Sequence, residues 1–211
     1  MMVNLANYFV GQGYRIDFLV VSDVGPFRNL LDARVDVRVL KARSVFFSIP
    51  SLTLYLRGSR PPAVLTALTN VNIATIIARM LSMVDCRVVI SERNNFSSVA
   101  QFSNSWRNRF LLPWLARIFY PRADRVVGIS EGVVSDLSKS LRMSRDKMVA
   151  IHNPVIVPEM DQPRAMPRHP WFNRTPDTPI IVASGRLEPQ KDYPTLLRAF
   201  RRVVSSVPAR L

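Results

Sequence analysis

The chain has 211 residues, 48% of them hydrophobic, and a formal net charge of +14 at pH 7. That apolar content excludes a disordered chain, and no uninterrupted apolar run reaches the roughly 18 residues of a membrane-spanning helix. One cysteine, Cys86, excludes an internal disulfide framework and fits a reducing compartment.

Val3 to Val10 is predicted as an apolar helix, stopped by Gly11-Gln12-Gly13. Ile16 to Val21 and Val35 to Leu40 read as strands, the second with alternating Val35, Val37 and Val39. A short helix over Ser51 to Arg57 follows Pro50. Ala63 to Ala67 is the third strand, ended by a polar turn, Thr69-Asn70-Val71-Asn72, before a helix from about Ile73 to Ser82. Arg87 to Ser91 is the fourth strand. Strands alternating with helices at this spacing predict an α/β fold with a parallel sheet.

Such sheets bind ligands beyond the C-terminal ends of their strands. The polar residues expected there are Asn70, Glu92, Arg93, Ser130 and Asn153. Each also has a plain structural reading: Glu92 and Arg93 as a strand-end pair or helix cap, Ser130 as a helix N-cap. His152 and His169 lack neighbouring ligands, so no metal site is expected. Trp106 to Tyr120 mixes aromatics with arginines. As a helix it would either lie on an anionic membrane or pack on the sheet with solvated arginines, and Pro113 would bend or split it.

Six prolines between Pro158 and Pro179 predict an extended linker. Pro179-Ile180-Ile181-Val182-Ala183 reads as a buried strand, and Leu196, Leu197, Phe200, Val203 and Val204 as one face of a helix. The loop between them holds Gly185, Arg186 and Lys191. A helix start favours a phosphate, and these cations would add a planar fork and a point charge. An ordinary loop with two solvated cations is the other reading.

The run Gly185-Arg186-Leu187, Gln190-Lys191-Asp192-Tyr193, Leu196-Leu197 and Ala199-Phe200 resembles the donor-site signature of family 4 retaining glycosyltransferases, which have the GT-B architecture. Ala123 to Gly132, Ile151 to Val155, and Asn4 to Val20 are similar to further stretches of that family in the same order. The resemblance implies a Rossmann-like, acceptor-side domain over 1–157, a hinge linker over 158–178, and over 179–211 the first βα unit of a second Rossmann-like domain. It implies that Arg186 and Lys191 bind the diphosphate of a nucleotide-sugar donor, with Gly185 allowing close backbone approach. The strand-end cleft would hold the sugar and a glycan or lipid-linked acceptor. Many members carry a histidine beside the sugar where this chain has the Ser91-Glu92-Arg93-Asn94 segment, which leaves a role for Arg93 open. Neither a metal nor a cofactor is implied. The arginines are scattered over every predicted element without a nucleic-acid motif, so no nucleic-acid partner is expected.

The family carries a strand before the first helix and a Glu-x7-Glu motif further along the second domain, and neither appears here. The expectation is therefore a truncated cytoplasmic glycosyltransferase, peripheral on the membrane's inner face, with an inactive remnant or non-catalytic binding module as the alternative.

Overall fold

A computed structural model describes residues 1–23, 28–98, 105–154, 170–171 and 178–211. Helix α1 (Met2–Gly11) buries Ala6 and Val10, one turn apart, against Val35, and the chain turns at Gly13 with φ +84°. Strands β1 (Asp17–Val20) and β2 (Asp36–Val39) then pair in parallel, Asp17 opposite Asp36. Helix α2 (Ile49–Ser59) starts with Pro50 in its first turn, where a missing N–H costs no helical bond. Tyr55 on α2 donates to Asp17 at 2.7 Å, tying this helix to β1.

A second parallel sheet has the order β3-β4-β5-β6, from Ala63–Ala67, Arg87–Glu92, Arg125–Gly128 and Met148–Ala150. Helices α3 (Thr69–Ser82), α4 (Leu112–Phe119) and α5 (Glu131–Leu141) follow β3, β4 and β5 in the chain. Their apolar faces meet the sheet in one core, with Ile73, Ile76, Val88, Ile90, Val126 and Leu137 at 0–1% exposure. Consecutive parallel strands joined by helices are the Rossmann-like α/β arrangement.

Three expectations change. The predicted single sheet over the first 157 residues is two sheets, because β1 and β3 share no ladder. Each therefore keeps an unpaired edge among the described residues. The polar stretch Thr69 to Asn72 is not a turn but the first turn of α3. Asn72 is fully buried; its side-chain Nδ2 donates to tertiary partners such as the Ser91 carbonyl, while its Oδ1 has no hydrogen-bond partner. Finally, Ile180 to Ala183 does not form a strand. Ile180 makes one parallel bridge with Arg210, while Val182 is 79% exposed. An apolar run becomes a strand only where a neighbour supplies a ladder, and among the described residues only Arg210 does.

The chain divides into two units, Met1–Val157 and Pro158–Leu211. Of the proline-rich stretch 158–178, only Pro170, Trp171 and Thr178 are among the described residues. The second unit contains α6 (Tyr193–Val204) and the short pairing of Ile181 N–H with Arg210 C=O at 2.8 Å. Among the described residues, no helix is long and apolar enough to cross a membrane.

Candidate functional site

Strand β4 lies between β3 and β5 and ends at Ser91 and Glu92, both buried. Glu92 is 3% exposed, so its carboxylate needs partners, and it has them. Tyr120, at the end of α4 and fully buried, donates its hydroxyl to Glu92 Oε1. Asn72, one turn into α3, places Nδ2 at 3.1 Å from Glu92 Oε1, Tyr120 Oη and the Ser91 carbonyl. The Thr69 hydroxyl and the Arg93 N–H also bond the carboxylate. Burial pushes the Glu92 carboxyl above its usual range, and these donors hold the rise back. Burial and the neighbouring carboxylate push the Tyr120 phenol well up, so it remains a donor.

This cluster borders a small cavity of about 60 Å³ lined by Thr69, Glu92, Asn94, Phe96, Asn108 and Pro113, among others. That is room for roughly a few waters or a ligand hydroxyl, not for a whole sugar ring. Leu68, another lining residue, has φ 83°, a left-handed value that a leucine reaches only against steric resistance. A buried, pre-oriented carboxylate among amide and hydroxyl side chains at a strand end is suited to holding a hydroxyl-bearing ligand.

Of the other predicted residues, Asn70 is half-buried in the first turn of α3 and outside the lining. Arg93 is half-buried and forms no side-chain ion pair with Glu92 among the described residues. Ser130 caps α5, accepting from the Val133 N–H at 3.3 Å, and does not line the cavity. Asn153 follows β6, its Oδ1 buried without a hydrogen-bond partner. Sequence reasoning missed Tyr120 altogether. The signal was there: Leu112, Ala116 and Tyr120 recur at four-residue spacing, and that is the buried side of the segment.

In the second unit, Gly185 and Lys191 come together. A Cβ on Gly185 would lie 3.5 Å from Lys191 Cγ and Cδ and 3.2 Å from the Tyr193 hydroxyl, which donates to the Gly185 carbonyl. Arg186 is 75% exposed and pairs with Glu188 at 2.8 Å. Anion capture by Arg186 would have to compete with that carboxylate. The start of α6 offers little help: Pro194 has no N–H, and the Thr195 N–H already donates to its cap, Asp192. The side chains of Arg186 and Lys191, rather than a helix N-terminus, are this loop's resource for an anion. Among the described residues, no group of three or more His, Cys, Asp or Glu side chains could hold a metal ion.

The family model described as Glycosyltransferase Family 4 matches residues 1–157. The chain belongs to that family. No curated protein matches it significantly. Among solved structures, the apo form of the lipopolysaccharide outer core galactosyltransferase WaaB is similar, at 15% identity and a TM-score of 0.46, over 71% of this chain and 50% of that one. The chain thus spans about half the length of that structure.

Within the family 4 match, two residues of the Ala123 to Gly128 stretch hold β5 in place. Asp124 accepts from the Val88 N–H at 2.7 Å and returns its own N–H to the Val88 carbonyl at 2.9 Å, locking β5 to β4. Gly128 lets β5 meet the start of α5: a Cβ there would lie 2.7 Å from Val134 Cγ2 and 3.1 Å from Val134 N.

Proposed function

We propose that this family 4 chain is the acceptor-side domain and the start of the donor domain of a retaining glycosyltransferase. The reaction would move a sugar from a nucleotide-sugar to a glycan or lipid-linked acceptor at the cytoplasmic membrane face. The family match across 1–157 carries this reading. The strand-end cleft with its buried carboxylate, and the Gly185–Lys191 loop, support it.

In the first unit, Glu92 accepts a hydrogen bond from a hydroxyl of the ligand in the cleft, and Tyr120 and Asn72 hold the carboxylate in place for it. In the second unit, Arg186 and Lys191 contact the donor diphosphate. With retention, the diphosphate departs from the face that the acceptor hydroxyl attacks. Positive groups on the departing oxygens then stabilise charge that develops in the transition state. No metal takes part, so chelator leaves donor use unchanged.

The second reading is an inactive remnant or a non-catalytic binding module. Transfer of label from a panel of nucleotide-sugars to extracted glycan and lipid acceptors separates the two. Transfer that Lys191→Ala reduces by about tenfold or more would support the enzyme. Acceptor binding without transfer would support the module.

A further inference from the structure

The segment that lines the cleft with Asn108, Leu112 and Pro113 has a second side. Residues Arg107–Leu111 form a π-helical turn that runs directly into α4. Pro113 explains the wide turn: it has no N–H for the Arg109 carbonyl, so the regular ladder fails there. Leu112, Ala116 and Tyr120 face the core, and Tyr120 reaches Glu92. Trp106, Phe110 and Trp114 lie four residues apart on the other side, 68%, 56% and 58% exposed. Three large aromatics left in water along one stripe are far from the scattered apolar exposure of an ordinary surface.

The charge around them has one sign. Between Glu92 and Asp124 the chain carries Arg93, Arg107, Arg109, Arg117 and Arg122 and no acidic residue. Arg107 and Arg109 flank the stripe, are exposed, and form no ion pair among the described residues. The Arg109 guanidinium sits 5.4 Å from the Phe110 ring centroid, so cation and aromatic are presented together. A protein partner with an apolar pocket would explain the aromatics alone. Aromatics alternating with unpaired arginines fit an interface where rings enter the acyl boundary and guanidinium groups meet phosphates.

We infer that the face carrying Trp106, Arg107, Arg109, Phe110 and Trp114 docks on an anionic phospholipid bilayer. The opposite side of the same segment borders the cleft, so docking sets the Glu92 cavity beside the lipid surface. The inference refines the membrane contact in the proposed function but stands on this surface alone, and its test involves no sugar transfer.

The test is sedimentation of the whole chain with vesicles of phosphatidylglycerol and phosphatidylcholine, compared with phosphatidylcholine alone. The chain should partition onto the acidic vesicles and lose that binding as salt rises. Trp106→Ser/Phe110→Ser/Trp114→Ser should weaken partitioning about tenfold or more. Arg107→Ser and Arg109→Ser should each weaken it about fivefold. Brominated acyl chains should quench wild-type tryptophan emission, a readout that needs no variant and so survives a variant that misfolds. Equal recovery on neutral and acidic vesicles, no quenching, or a folded triple variant that binds like wild type would overturn the inference. Binding to neither vesicle would overturn it too and leave the face to a protein partner.

Discussion

The two candidate sites are built on opposite principles. In the first unit, Glu92, Tyr120 and Asn72 come from three elements, are 0–3% exposed, and fix one another by hydrogen bonds across 20 to 48 residues of sequence. In the second, Gly185, Arg186 and Lys191 lie within one loop, held by local turns such as Lys191 N–H to Glu188 C=O at 2.9 Å. The buried cluster is set before any ligand arrives, because its carboxylate and phenol would be costly to leave unpaired in a low-dielectric interior. The loop is set by its neighbours in sequence and keeps its cations in water, where an ion pair contributes only about 0–1 kcal/mol. Substitutions should therefore hit folding in the first region and ligand binding in the second.

The largest effect on folding is expected at Tyr120. Tyr120→Phe removes a charge-assisted bond to a buried carboxylate and should cost about 1.5–3 kcal/mol in denaturant unfolding. A loss below about 0.5 kcal/mol would place the cluster on a level with the surface loop. Gly128→Ala should cost about 1–3 kcal/mol, since its Cβ would collide with a buried valine between β5 and α5.

The pH dependence sharpens the contrast. The folded protein raises the Glu92 carboxyl above its unfolded value, so it holds a proton that the unfolded chain has released. Stability present below the ordinary glutamate range should fall as pH rises through the raised value. Glu92→Gln should flatten that fall in a series of melts across acid to neutral pH. An unchanged slope would mean that Glu92 does not titrate in this window.

The loop should behave in the reverse sense. Arg186→Ala and Lys191→Ala should change stability by less than about 0.5 kcal/mol. Each should nevertheless weaken nucleoside diphosphate binding by about tenfold, as loss of a charged hydrogen bond does. Lys191→Arg should restore it only partly, since a planar fork does not replace a compact ammonium. Smallest of all, Glu188→Ala frees Arg186 and should strengthen diphosphate binding by roughly two- to fivefold.

The same contrast explains what could be read from the sequence. The closeness of Gly185 and Lys191 was legible because both lie in one short run of the chain. The helices and parallel strands were legible from periodicity, as with Val35, Val37 and Val39. The cluster was only half legible: Glu92 was placed at a strand end, but its partners were not. Asn72 looked like part of a turn because it is polar beside Thr69 and Asn70, and only the folded α3 shows its amide aimed at β4. Tyr120 sat in a segment read for its arginines, and nothing local says that a hydroxyl 28 residues away reaches Glu92. The error at Ile180 has the same root. Its apolar pattern was right for a strand, but a ladder needs a neighbour that composition cannot supply.

The most direct test of the central claim is an NMR titration of the chain with a nucleoside diphosphate, following the amides of both regions at once. The account predicts weak binding, with shifts concentrated at Gly185, Arg186 and Lys191 and abolished by Lys191→Ala, while Thr69, Glu92 and Asn94 stay unmoved. Shifts confined to the Glu92 cleft, or a response in the loop that survives Lys191→Ala, would contradict it.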